Sequence, residues 1–356
     1  MNDKPSLELA KLLNLSRDKE TLLIADENTL GTLGAVTQRP TLGIISNRFD
    51  VAEQFLKLGI NTRFCDFEFD GFADNSVERI FYRVSKEKPV VHHIINQAHL
   101  KLVNDGQLIF CGHKKDGTKS YFEKAKQLLG GCATLKKNGD SYTATINKKM
   151  SDSELSGPLD DKDYPVLRSV LQVSGLNTLS KPGLFGWDKV DRGSKLLMEQ
   201  LPEALASLDI KPASLLDLGC GFGYLTLASH EMEFDYRCAT DNNAAALIAA
   251  KANFQQNSLE VDTIAADCAD SIDRKFDLIL CNPPFHQGFS ITGDLTHKFL
   301  AATYRLLSAH GAALLVVNQF VPIERKAQAL NFSVTLLMNN GSFKVVLLSK
   351  RQPKKA

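Results

Sequence analysis

Short apolar runs of five to eight residues recur along this chain, separated by stretches with helical spacing. In the first half the strand-like runs are TLLIAD, TLGIIS, TRFCDFEF, ERIFYRV, GQLIFCG and SYTATI, between Thr21 and Lys149. VAEQFLKLG and VVHHIINQAHLKLVNDG carry helical periodicity between them. In the second half SLLDLG, DYRCATD, VDTIAAD, FDLILCN, AALLVVN and FKVVLLS repeat the pattern between Ser194 and Ser349, with NAAALIAAKANFQQN and LTHKFLAATYRLLSAHG as helices. Apolar strands alternating with amphipathic helices predict parallel pairing and a doubly wound α/β sheet in each half. Each half also closes on an Asn-Gly turn, Asn138-Gly139 and Asn340-Gly341, which predicts a final antiparallel hairpin.

The halves resemble each other in order, at an offset near two hundred residues. VVHHIINQAHLKLVNDGQLIFCG runs parallel to KFLAATYRLLSAHGAALLVVN. The match predicts an internal duplication. The expected boundaries are a domain over 1–150, a linker over 151–180 and a second domain over 181–356. The linker region is polar at first and then rich in apolar residues (Tyr164, Leu167, Val170, Leu171, Leu184, Phe185, Trp187), too many for a free tether, so its later part reads as a lid-like segment.

Composition adds limits. The chain has 356 residues, 44% hydrophobic and 23% charged, and a net charge of +1, which fits a two-domain globular protein and neither favours nor excludes nucleic acid. Seven scattered cysteines with no C-x-x-C pair argue against a disulfide framework or zinc site and for a reducing cytoplasm. No histidine spacing suggests a metal. No signal peptide or membrane span is expected.

Candidate chemistry sits in the second half. Asp217-Leu218-Gly219-Cys220-Gly221-Phe222-Gly223 is a strand end running into a glycine-rich turn and then a helix. Glycine lets such a turn tighten and lets a ligand reach the main chain. Asp217 there suits a cationic amino group and repels a pyrophosphate. Asp241, with Asn242 after it, ends the next strand and is placed for ribose hydroxyls. Asp267 ends the third, placed for an adenine edge. Each acid alone is more often a helix cap, but the ordered set describes a nucleoside carrying an amino acid, S-adenosyl-L-methionine.

Asn282-Pro283-Pro284-Phe285 follows the fourth strand directly. The prolines remove two donors and stiffen the turn, leaving carbonyls as acceptors. The Asn282 side-chain oxygen and the Pro283 carbonyl can accept both hydrogens of a planar amine, favour a pyramidal nitrogen and aim its lone pair at a methylsulfonium. Phe285 can stack on a flat base. Asn282, Pro283 and Phe285 are the catalytic candidates, and Asn282 also borders the cofactor. Pro284, Phe285, His286, Lys189, Arg192 and Lys344 are the substrate candidates. This chemistry alone leaves adenine N6, guanine N2 and glutamine N5 open.

LLDLGCGFG, CNPPFHQG, PGLFGWDKVDRGSKLLM and NNGSFKVVLLSKR together resemble the bacterial ribosomal RNA guanine-N2 methyltransferases built from two tandem methyltransferase-like domains. The resemblance covers essentially the whole chain. It implies two Rossmann-like class I methyltransferase domains, a catalytic C-terminal one and an N-terminal one that has lost the cofactor site and supports folding or RNA binding. Leu23 to Gly31 lacks the glycine series, and Glu78 to Arg83 ends in no Asn-Pro-Pro. The resemblance further implies action on guanine N2 in 16S ribosomal RNA or the small subunit, with 23S RNA as the alternative; a monomer is expected. The family's Pro-Gly-Val-Phe-Ser-Arg reads here Pro182-Gly183-Leu184-Phe185-Gly186-Trp187, without the arginine; Lys181, Lys189 or Arg192 can supply the charge. Adenine-N6 and glutamine-N5 methyltransferases share the Asn-Pro-Pro clamp but commonly carry Tyr at the Phe285 place. A non-catalytic assembly factor would not need Asp217, Gly219, Gly221 and Asn282.

Overall fold

The structure, a computed structural model, describes residues 3–16, 18–149, 157–208, 211–284 and 293–351. The chain forms two compact units, Met1–Val166 and Leu167–Ala356.

The first unit runs α1 (Lys4–Asn14), β1 (Thr21–Ala25), β2 (Leu42–Ser46), α2 (Phe49–Lys57), β3 (Asn61–Phe64), β4 (Val77–Arg83), α3 (Lys88–Lys101), β5 (Leu102–His113), α4 (Thr118–Leu129), β6 (Gly130–Asn138) and β7 (Ser141–Lys148). Its sheet has the order β3-β2-β1-β4-β5-β7-β6. Strands up to β5 pair in parallel, and β7 pairs antiparallel with both β5 and β6.

The second unit opens with a hairpin, β8 (Arg168–Val173) and β9 (Leu176–Ser180). It continues through α5 (Arg192–Leu208), β10 (Ser214–Leu218), α6 (Tyr224–Ala228), β11 (Tyr236–Asp241), α7 (Ala244–Gln256), β12 (Asp262–Ala265), β13 (Phe276–Cys281), α8 (Gly293–Leu306), β14 (Leu307–Asn318), α9 (Ile323–Ala329), β15 (Phe332–Asn339) and β16 (Phe343–Lys350). Its sheet order is β12-β11-β10-β13-β14-β16-β15, the first sheet repeated strand for strand. Every residue of β1 and of β10 is buried, as a central strand covered on both faces requires. In both units the central strand has its two parallel neighbours on opposite sides, so the crevice between the diverging connections opens at the carboxyl ends of β10 and β13.

Two expectations need correction. Residues 168–180 are no linker: they pair as β8 and β9, and Asn253 on α7 exchanges hydrogen bonds with Leu179 (2.6 and 2.8 Å). Nor is the apolar stretch after them a free lid, because Leu184 is buried against Phe222, Ala245 and Ala249 of the same unit. Upstream, Tyr164 is buried in the first unit and donates to Asp66 (2.6 Å). The apolar residues of this region are spent on packing. The second correction concerns the long helical patterns ending in Gly106 and Gly311. Both helices stop early, at Lys101 and Leu306, and the glycines lie inside β5 and β14 beside register shifts. A Cβ on Gly106 would meet Val103 O at 2.8 Å, and one on Gly311 would meet Asp277 O at 2.9 Å. These are glycines of close backbone approach at a bulge rather than of a helix end.

Candidate active site

The glycine turn after β10 is folded by its own strand neighbours. Gly219, Gly221 and Gly223 all take positive φ (78°, 55° and 91°). The N–H groups of Gly219 and Cys220 both donate to Thr240 O on β11. The three glycines differ in what surrounds them. A Cβ on Gly223 would sit 2.7 Å from the Phe254 ring, and one on Gly219 would sit 3.2 Å from Phe299. At Gly221 nothing lies within 4 Å, so this is where the turn exposes its backbone to an incoming group.

Asp217 lies beneath the turn, fully buried. Its Oδ2 accepts from the Thr226 N–H (3.1 Å) and hydroxyl (2.8 Å), tying β10 to α6. Its Oδ1 meets no donor among the described residues, and burial pushes the carboxyl up to about 7. In this structure the carboxyl lies behind the glycine turn rather than on its surface. A positive charge arriving at the open face of the turn would instead favour the ionised carboxylate through the low-dielectric interior.

Asp241 accepts from the Gly221 N–H with Oδ2 (2.9 Å) and from the Asn243 N–H with Oδ1 (2.8 Å). It braces the glycine turn, and Asn243, not Asp241, caps α7. Asn242 lies half-buried between them. Asp267 is ion-paired with Lys298 on α8, which places its carboxylate against a cation as well as at the strand end. Gly221, Asp241, Asp267 and Asn282 thus all stand at carboxyl ends of parallel strands or just after them.

Asn282 follows β13 and is half-buried; Pro283 is buried and Pro284 exposed. The Asn282 amide nitrogen donates to Asp191 Oδ2 (2.9 Å) and to Ser194 Oγ (2.8 Å). Both amide hydrogens are used, so Oδ1 is left as an acceptor. Asp191 and Ser194 were not singled out in the sequence. Their signal was there: Asp-x-x-Ser ahead of a helical run is a capping pattern, and the Ser194 N–H donates to Asp191 Oδ2 at the start of α5 (2.7 Å). Phe285 and His286 lie outside the described residues.

The basic candidates separate. Lys189 and Arg192 are exposed, on the turn before α5 and at its first residue. Lys344 is not free for substrate: Nζ pairs with both Glu324 oxygens (2.9 and 3.1 Å), which neutralises its charge within the unit.

The equivalent strand ends of the first unit are built differently. Asp26 stands where Gly219 stands in the second unit, and burial, then Glu27, push it up to about 8. Arg83, at the end of β4, is buried between Asp3 (2.7 Å) and Asp116 (3.1 Å). All seven cysteines are free thiols, and the described residues hold no cluster of potential metal ligands. No helix among them is long and apolar enough to cross a membrane.

Residues 175–347 match the family model of the methyltransferase small domain. The chain is 25% identical to Ribosomal RNA small subunit methyltransferase C of Shewanella loihica, over 97% of this chain and 98% of the relative. Over nearly its whole length the chain is thus similar to bacterial ribosomal RNA methyltransferases. Two further relatives carry a small-subunit and a large-subunit name. Ribosomal RNA small subunit methyltransferase C of Pseudoalteromonas translucida is 29% identical, covering 75% of this chain and 76% of its own. Ribosomal RNA large subunit methyltransferase G of Shewanella woodyi is 26% identical, covering 79% and 66%. Among solved structures, a 16S rRNA N2 methyltransferase of T. thermophilus in complex with AdoMet and guanosine superposes with a TM-score of 0.78 over 97% of this chain and 92% of that one, at 22% identity. That likeness bears out the two-unit α/β fold.

Proposed function

We infer that this methyltransferase moves a methyl group from S-adenosyl-L-methionine to the exocyclic N2 of a guanine in 16S ribosomal RNA, and that the second unit does the chemistry. The single observation carrying the reading is the fixed Asn282 amide, whose remaining oxygen can accept from a planar amine at the end of β13. When bound, the cofactor supplies an electrophilic methyl on a cationic sulfur, so no strong base is required. The residues present fit it: Gly221 offers an open backbone, Asp241 braces that turn, and Asp217 is a buried carboxyl with an unpartnered oxygen.

Asn282 Oδ1 and the Pro283 carbonyl accept the two hydrogens of the guanine amine. This draws its lone pair out of conjugation and orients it, which is positioning and electrostatic catalysis. Phe285 and His286, next in the sequence, are the candidates for contact with the base. Lys189 and Arg192 meet phosphates. The first unit supports folding or RNA contact and holds no cofactor, its strand ends being filled by Arg83 and Asp26. The protein works as a monomer in the cytoplasm, where its RNA is. Small-subunit relatives among its matches favour 16S over 23S RNA. Purified protein incubated with labelled S-adenosylmethionine and either 30S subunits or 16S RNA tests the reading; label recovered as N2-methylguanosine supports it, and label on adenine or none on RNA overturns it.

A further inference from the structure

We propose that Asp191, with Ser194, is the positioning residue that presents the Asn282 oxygen to the substrate amine. This rests on the role given to Asn282 above and adds what holds that role in place.

An asparagine amide is nearly symmetric in shape, and on its own it can turn either end toward a substrate. Here the choice is made by charge. Asp191 Oδ2 lies 2.9 Å from the Asn282 nitrogen, and the reversed amide would press an oxygen against a carboxylate. Ser194 Oγ takes the second hydrogen at 2.8 Å. The arrangement is itself anchored: Oδ2 also accepts the Ser194 N–H, so the start of α5 fixes the carboxylate. Gly193 keeps the space open, since a Cβ there would lie 3.1 Å from Asp191 Oδ2 and 3.2 Å from the Phe343 ring.

A second, independent observation comes from the duplicated unit. Asp3-Lys4-Pro5-Ser6 begins α1 as Asp191-Arg192-Gly193-Ser194 begins α5. Asp3 Oδ2 accepts the Ser6 N–H (3.0 Å), and Asp3 also grips the residue ending β4, Arg83 (2.7 Å). The same Asp-x-x-Ser cap therefore reaches the end of the fourth strand in each unit. In one it holds an arginine that plugs the strand ends. In the other it orients an amide that offers an acceptor.

The test compares Asp191→Ala, Asp191→Asn and Ser194→Ala in the full-length protein, with Asn282→Ala as the control. Asp191→Ala lowers kcat by about 10²-fold, the cost of a misplaced reacting group, while KM for cofactor and RNA moves less than about threefold. Asp191→Asn, which keeps an acceptor at that place, recovers most of the loss. Ser194→Ala leaves the Asp191 cap in place and lowers kcat by about tenfold, so the proposal stays testable if Asp191→Ala folds poorly. Independently of turnover, the Asn282 side-chain amide protons exchange faster with water in Asp191→Ala, seen by nitrogen-edited NMR. Folded Asp191→Ala and Ser194→Ala with wild-type kcat would overturn the proposal, as would a loss confined to KM. If Asn282→Ala itself keeps turnover, the reading of the site fails, and not only the part given to Asp191.

Discussion

Asp191 Oδ2 stands 2.9 Å from the Asn282 amide nitrogen although ninety-one positions separate them in the chain. The contact joins the start of α5 to the end of β13 and engages the nitrogen end of the amide, not its oxygen.

The first consequence concerns Asn282 itself. Asn282→Ala removes the acceptor without touching the glycine turn. Single-turnover transfer to RNA should fall by about 10²–10³-fold. Calorimetry should still register S-adenosylmethionine binding. Unchanged turnover would contradict the clamp.

The glycine turn separates binding from folding. Gly221→Ala places a methyl group in open space at φ 55°, so it costs only left-handed strain of about 1–2 kcal/mol, yet occupies the ligand's approach. Cofactor affinity should fall by more than about tenfold with a small shift in melting temperature. Gly223→Ala drives a Cβ to 2.7 Å from Phe254 and should lower the melting temperature much further. Equal effects of the two on affinity and stability would argue against the open face at Gly221.

How much of this was legible in the sequence follows from what each pattern encodes. The alternation of apolar runs and helical spacing gave β1, β4, β10 and β13 nearly to the residue, because strands covered on both faces are mostly apolar. The Asn-Gly turns announced the β6–β7 and β15–β16 hairpins. Gly106 and Gly311 misled, since a glycine after a helical run signals a helix end as readily as a bulge. Asp217, Asp241 and Asn282 stand out in the sequence because strand ends are where ligands of such sheets bind. That Asp217 would be sealed under the turn, and Lys344 spent on Glu324, depends on three-dimensional neighbours no local pattern names. The Asp191 contact escaped for the same reason, though its capping pattern was visible.

Asp217 gives the cofactor site a pH signature. Burial raises its pKa to about 7, so below that pH the free protein holds it neutral. A cationic ligand at the turn favours the ionised form, so binding at lower pH requires loss of a proton. Affinity for S-adenosylmethionine should rise with pH toward about 7, at a limit of tenfold per pH unit. Asp217→Asn should flatten this slope. Calorimetry in buffers of different ionisation enthalpy would expose a pH-independent affinity and no proton release if the coupling were absent.

In the first unit, Arg83 binds two carboxylates while almost fully buried, and Asp116 is buried with it. Arg83→Ala leaves Asp116 buried opposite no cation and should cost about 3–5 kcal/mol in denaturant unfolding. Arg83→Ala with wild-type stability would show that the plug is not what holds these strand ends together.

Transfer to guanine N2 in 16S RNA can be read chemically. Ribosomal RNA from a strain lacking this gene should be digested and mapped by mass spectrometry beside RNA from the parent. One 16S guanine should carry an N2-methyl group in the parent and none in the deletion strain, restored by the wild-type gene and not by Asn282→Ala. An intact 16S pattern, with the missing methyl group on 23S RNA or on an adenine, would contradict it.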